Sequence, residues 1–176
     1  MTKEGQAGNQ LNSKELHARQ LAKQGKKDGP IVIAVGIDNP FNIGNILRCA
    51  DATGVKYVYF VETPDLNQSK VNKTSRSAIN FVPHKFIDSK TFFSLLDRLP
   101  PLIALEITDL STNIFTTDYE ENVGFVVGEE SKGIPEEYLV ICKFALDIPM
   151  IGTVSSLNVA TALCIALYDW NRRYGV

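Results

Sequence analysis

The sequence predicts an α/β fold, a mostly parallel sheet with helices on both faces. Short, nearly continuous apolar runs such as Ile31–Val35 and Tyr57–Val61 read as strands buried on both sides. They alternate with stretches of helical period, beginning with Ile43, Ile46, Leu47 and Ala50 at i, i+3, i+4 and i+7. Two later apolar runs, Val123–Val127 and Phe144–Ile148, open into polar glycine-bearing loops, and α/β sheets bind ligands at such strand mouths.

The elements follow in order. Residues 1–29 read as a short basic segment, with a basic helix over Leu11 to Gln24 and with Lys3, Lys14, Arg19, Lys23, Lys26 and Lys27 against Glu4 and Glu15. Residues 30–176 read as one domain. Its first strand is Ile31–Val35. Asn42 can cap the first helix, and Gly54 is its natural stop. Tyr57–Val61 is the second strand, followed by a polar loop and a short helix around Lys73 to Asn80. Phe81 to Phe86 reads as a short strand and Lys90 to Arg98 as a helix ended by Pro100 and Pro101. Leu102 to Ile107 and Val123 to Val127 are two further buried strands, and Pro135 opens a helical turn over Glu136 to Val140. Phe144 to Ile148 is the last strand and Ser156 to Arg173 the last helix, with Ser155 or Ser156 as its cap. That helix is apolar nearly all round, from Leu157 through Val159, Ala160, Ala162, Leu163, Cys164, Ile165, Ala166 and Leu167. A side left over after packing in a single domain predicts a homodimer built partly on this helix.

Composition narrows the chemistry. With 22% charged residues and a net charge of −2, the chain is ordinary for a soluble globular protein and unsuited to indiscriminate nucleic-acid binding. Positive charge is nevertheless local: residues 69–90 carry Lys70, Lys73, Arg76, Lys85 and Lys90 against Asp88, as a surface that tracks phosphates would. The longest apolar run, Ala162 to Tyr168, is far short of a membrane span, and the polar N-terminus does not read as a secretory signal. A cytoplasmic protein is expected. Cys49, Cys142 and Cys164 lie inside apolar patterns without CxxC spacing and read as core thiols, with no metal site. There is no GxGxxG after the first strand, no GxxxxGK[ST] loop and no GxSxG elbow, and His17 and His84 are the only histidines. An enzyme built here works by positioning and electrostatics, using Asn, Arg, Glu and Ser.

Three motifs stand at the predicted strand mouths. In Asn42-Ile43-Gly44-Asn45-Ile46-Leu47-Arg48, Gly44 permits close backbone approach at a helix start, where free amides favour an anion. Arg48 falls off the apolar stripe, on the side of Asn45, and can hold a phosphate bidentately. Gly128-Glu129-Glu130-Ser131-Lys132-Gly133 closes a buried strand with two glycines and two carboxylates, so that a flat ligand can lie against backbone. In Ile148 to Asn158, Pro149 and Gly152 fix an irregular path whose backbone amides and carbonyls suit an adenine ring.

Together and in this order, the three motifs resemble those of the SpoU (TrmH-type) family of the SPOUT class of RNA methyltransferases, over about Pro30 to the C-terminus. The resemblance implies a Rossmann-like sheet whose C-terminus threads into a deep trefoil knot, and a homodimer with its active site near the subunit interface. It implies S-adenosyl-L-methionine as cofactor, contacted by Gly128, Ile148 and Leu157 largely through backbone, with Met150, Leu105 and Glu106 as further contacts. It implies a catalytic and RNA-side set of Arg48, Asn42, Glu130, Ser156 and Asn158, with Glu130 orienting Arg48. The implied reaction moves a methyl group to a ribose 2′-hydroxyl of tRNA or rRNA. Members often carry an additional RNA-binding domain, so substrate capture is expected to rely here on the catalytic domain and the basic N-terminal segment. The competing expectations are a non-catalytic RNA-binding protein on the same scaffold and a methyltransferase acting on a base nitrogen. The intact Asn42, Arg48, Glu130 and Asn158 weigh against the first, and the Asn-x-Gly-x-x-x-Arg pattern favours ribose over base.

Overall fold

The computed structural model describes residues 10–12, 14–15, 29–64 and 68–175. The helix expected over 11–24 falls largely outside them. Seven strands form one sheet: β1 Ile31–Val35, β2 Tyr57–Val61, β3 His84–Ile87, β4 Leu102–Leu105, β5 Thr112–Asn113, β6 Gly124–Val127 and β7 Ala145–Asp147. Their order is β3-β2-β1-β6-β4-β7-β5, and every neighbouring pair is parallel. All loops that leave the strands at their carboxyl ends therefore gather along one edge of the sheet.

Alternation within β1 sorts the core into two layers. Val32 and Ala34 face one helical layer, made by α1 Pro40–Thr53, α2 Gln68–Ser75, α3 Ala78–Phe81 and α6 Val159–Trp170. Ile31, Ile33 and Val35 face the other, where Phe92 of α4 Ser89–Phe93 and Tyr138 of α5 Glu136–Leu139 are buried. Both faces of the central strand are dry, which accounts for its unbroken apolar run.

The cap of α1 is Asn39, not Asn42. Its side chain accepts from the Phe41 amide, and Pro40 holds the first helical position, where its missing N–H is no loss. Starting the helix there carries Asn42 into the first turn and buries it. Gly54 ends α1 in the left-handed conformation, with φ 74°.

Gly44 also has a different use from the one expected. A β-carbon there would lie 2.5 Å from Thr74 Cβ and 2.8 Å from the Ser75 amide nitrogen, so this glycine seats α2 against α1 and not an anion. Gly44→Ala is expected to destabilise the protein by about 2 kcal/mol through overpacking. A melting temperature about 4–8 °C lower checks this, and one unchanged within a degree refutes it.

Other differences have local causes. The helix expected over Lys73 to Asn80 is two helices, broken at Arg76, whose φ is 53°. Phe81 finishes the second of them, so the following strand starts only at His84. Asp88 accepts from the Thr91 amide and starts α4 early, and a 3-10 turn over Leu96–Arg98 completes that segment. The short strand β5 was not anticipated. It pairs with β7, which thus lies between β4 and β5, two strands joined directly by residues 106–111. A threaded C-terminal segment needs this arrangement. After α6 the chain closes in a π turn over Asn171–Gly175.

The C-terminal turn is pinned by a buried carboxylate. Asp169 Oδ1 accepts from Arg172, while its Oδ2 accepts from Arg173 Nε at 2.7 Å and from the Tyr119 hydroxyl at 2.8 Å. The Arg173 guanidinium lies 4.6 Å above the Tyr119 ring and donates to the Ile114 carbonyl. The Trp170 indole donates to the Glu121 carbonyl, and the Tyr174 hydroxyl to that of Tyr119. Residues 114–121 are thereby tied to the end of the chain.

Candidate functional site

Two structures meet at the carboxyl ends of the strands: a polar triangle and a mostly apolar cleft. Asn42 of α1, Glu130 beyond β6 and Asn158 at the start of α6 form the triangle. Glu130 Oε1 accepts from Asn42 Nδ2 at 2.6 Å and from Asn158 Nδ2 at 2.7 Å, and Asn158 Nδ2 also reaches Asn42 Oδ1 at 2.9 Å. The Asn158 side-chain oxygen Oδ1 accepts from the amides of Ala160 and Thr161, so Asn158, and neither Ser155 nor Ser156, caps the last helix. One side chain thus starts α6 and ties it to the first turn of α1 and to the loop after β6. Three of the five residues expected to be catalytic converge here.

The fourth, Ser156, lies in the cleft. Leu105, Glu106 and Ile107 at the carboxyl end of β4, Leu146, Asp147, Ile148 and Met150 from β7 onward, and Ser156, Leu157 and Ala162 line a space of about 420 Å³, its open mouth included. Among the described residues, 149–157 make no backbone–backbone hydrogen bonds, so this wall presents open amides and carbonyls. The Glu106 carboxylate is aimed by the amides of Ile107 and Ile134, at 3.0 and 2.9 Å. Of the six residues expected to contact a cofactor, Leu105, Glu106, Ile148, Met150 and Leu157 line this cleft.

Gly128 is the exception. A β-carbon there would lie 2.2 Å from the carbonyl group of Gly133, so the absent side chain allows close chain approach within its own loop. The loop is braced from inside: the Gly133 amide donates to the Glu129 carbonyl, and the Glu129 carboxylate accepts from the Ser131 hydroxyl and amide and from the Lys132 amide. The Ser131 hydroxyl, chiefly, holds the Glu129 carboxyl below its ordinary range.

Arg48 belongs to neither structure. It is exposed on α1 and makes no side-chain hydrogen bond or ion pair among the described residues. Glu130, expected to orient it, is engaged by the two asparagines. The thiols are quiet: burial pushes Cys49 and Cys142 up to about 12, far from the range of reactive cysteines. Among the described residues no group of three or more His, Cys, Asp or Glu side chains is placed to hold a metal ion, and no helix is long and apolar enough to cross a membrane.

The family resemblance grouped Asn42, Glu130 and Asn158 in one site, but their mutual hydrogen bonds were not readable, because Asn42 and Glu130 are 88 residues apart and only the fold joins them. The early Asn39-Pro40 helix start was the available signal that Asn42 points inward.

Comparison with known proteins places this arrangement. The model of the SpoU rRNA Methylase family matches residues 29–168. The chain belongs to this SpoU family. A putative TrmH family tRNA/rRNA methyltransferase from Staphylococcus epidermidis is 32% identical over 163 residues, covering 87% of this chain and 63% of that relative. The chain therefore spans less than two thirds of that relative's length. Among solved structures, an AdoMet-bound rRNA methyltransferase from Sinorhizobium meliloti superposes with a TM-score of 0.76 at 26% identity, over 83% of this chain and 57% of that one. A structure concerned with 2-OH methylation of C/U34 on tRNA gives 0.71 at 28% identity, covering 83% of this chain and 96% of that one. The seven-stranded parallel sheet is thus the SpoU architecture.

Proposed function

We propose that this SpoU protein is an S-adenosylmethionine-dependent RNA methyltransferase that methylates a ribose 2′-hydroxyl of tRNA or rRNA. The observation that carries the proposal is the convergence of five expected donor-contact residues on one cleft whose wall, residues 148–157, leads into the Asn158 corner of the polar triangle. The fit to the donor is chemical. Leu105, Ile148 and Leu157 suit an adenine ring, the unpaired backbone of 149–157 its polar edge, and the Glu106 carboxylate a cationic ligand. When bound, S-adenosylmethionine supplies a methyl group activated on a sulfonium; transfer breaks the S–C bond, forms an O–C bond, releases the hydroxyl proton and leaves S-adenosylhomocysteine.

The chain's part is placement. Arg48 anchors the phosphate beside the target ribose and orients its hydroxyl. The triangle fixes the α1 start, which carries Arg48 about two turns further on, relative to the cap of α6, which carries the cleft wall. We assign residues 30–176 to the catalytic domain, with the C-terminal segment threaded as a knot, in a cytoplasmic protein whose basic residues 1–29 assist RNA capture. Because Arg48 does not line its own chain's cleft, we propose a homodimer across α1 and α6, where Ala162, Cys164 and Ile165 are only half-buried and Tyr168 is 54% exposed. Sedimentation at micromolar concentration checks the dimer.

The test of function has two arms. Calorimetry is expected to show one donor molecule bound per chain, and nucleoside mass spectrometry to find ribose-methylated nucleosides that vanish from RNA of cells lacking the protein. No donor uptake favours the non-catalytic reading, and a base-methylated product overturns the ribose assignment. Within the triangle, Glu130→Ala leaves two amide groups without their shared acceptor and is expected to lower transfer about tenfold to hundredfold through misplacement. Glu130→Gln keeps an acceptor oxygen and is expected to retain most activity in the same methyl-transfer assay. Equal losses in the two variants would show that the charge, and not the geometry, matters.

A further inference from the structure

From the way α2 is seated on α1, we infer an RNA-backbone track formed by Arg48, Lys73 and Arg76; it rests on the RNA-methyltransferase reading above. Gly44 and Arg48 are one helical turn apart and share a face of α1. The absent side chain of Gly44 is filled by Thr74 and Ser75 of α2. Lys73 and Arg76 bracket those two residues in sequence, so both basic side chains are carried by the backbone that lies on the Arg48 face. All three cations are exposed, and none has a carboxylate partner among the described residues. The segment 68–81 contains no acidic residue at all.

Arg76 strengthens the case independently. It follows the last turn of α2 with φ 53°, donating its amide to the Asn72 carbonyl, in the left-handed conformation that helix ends normally give to glycine. An exposed arginine kept there at conformational cost points to a use for its side chain. Phe81, 69% exposed at the end of the same segment, offers a ring on which an unstacked base can lie. Single-stranded RNA needs this combination of cations that meet phosphates and an aromatic that meets bases, whereas a purely structural C-cap needs neither.

The experiment measures binding of a fluorescent mixed-sequence single-stranded RNA of about 16 nucleotides across a salt series. The proteins are the full chain, Arg76→Gly, Lys73→Gln, their double variant, and Lys143→Gln as a control, since Lys143 is paired with Glu120 at the amino end of the sheet. Each track variant is expected to weaken binding about fivefold at 0.1 M salt and to reduce the slope of log K against log salt by about 0.7, the double variant by about 1.4. Arg76→Gly is expected to do so with its melting temperature kept or raised, which a folding defect cannot mimic. Donor binding by calorimetry is expected to be unchanged in all of them. Track variants that match the full chain, or a Lys143→Gln that weakens binding as much as they do, overturn the track while leaving the methyltransferase reading intact. A full chain that binds donor but no RNA at any salt overturns both.

Discussion

Arg48→Ala is expected to lower methyl transfer about thousandfold while donor affinity stays at the wild-type value. The size is that of removing a charge-bearing group aimed at a reacting centre. The constancy of donor binding follows from position, since Arg48 lies outside the cleft lined by Leu105, Ile148 and Leu157. Arg48→Lys then separates two mechanisms. If the residue removed the hydroxyl proton, it would have to be neutral, and for arginine that costs about 7 kcal/mol or more at pH 7. Lysine loses its proton at least two pH units lower, so its neutral form would be about a hundredfold more abundant. Base catalysis therefore predicts a lysine variant as fast as wild type or faster. Anchoring predicts the reverse, because an ammonium cannot reproduce the planar bidentate grip of a guanidinium on a phosphate. A loss of about tenfold or more in kcat for Arg48→Lys, with a pH–rate profile of unchanged shape, supports the anchor. A lysine variant at wild-type speed refutes it.

How much of this was legible beforehand differed by element. Strands β1, β2, β4 and β6 were readable because burial on both faces removes polar residues and leaves a run of one chemical kind. The connections between them were readable less well, because their form depends on tertiary contacts. Arg76 breaks a helical pattern by a backbone conformation that its residue type does not announce. Strand β5, Thr112–Asn113, is two residues whose only strand-like property is the neighbour they pair with. At the site, five cofactor-contact candidates line one cleft, yet what two motif glycines approach within the protein was not readable. Gly44 and Gly128 both serve chain-to-chain approach within the protein. A glycine in a motif marks a place where something comes close, and sequence alone does not say whether it is ligand or backbone.

Removing the Asp169 carboxylate is expected to cost about 3–5 kcal/mol, the range for breaking a buried, hydrogen-bonded ion pair by deleting one partner. Its side chain is 2% exposed, and that of Arg173, its partner, 12%. Asp169→Ala leaves the guanidinium largely buried with the Ile114 carbonyl, the Tyr119 ring and the exposed Asp118 carboxylate 3.6 Å away to offset it. A domain's whole stability is about 5–15 kcal/mol, so the melting temperature should fall by about 6–20 °C. Asp169→Ala together with Arg173→Ala should cost clearly less than the two single losses added, because the double variant strands no charge. The pH dependence has a definite sign. Burial works to raise the Asp169 pKa, but the hydrogen bonds from Arg172, Tyr119 and Arg173 outweigh it and hold the carboxyl below its ordinary value. A carboxyl depressed on folding stabilises fully above its unfolded pKa of about 3.9, and this contribution is lost as pH falls through the lower folded value. The gap in stability between the full chain and Asp169→Ala should therefore be constant from neutral pH down to about 5 and narrow below about 4. Urea melts across this range measure it. A variant within about 1 kcal/mol of wild type at pH 7 would mean that the C-terminal turn is held by the Trp170 and Tyr174 contacts, with the carboxylate incidental.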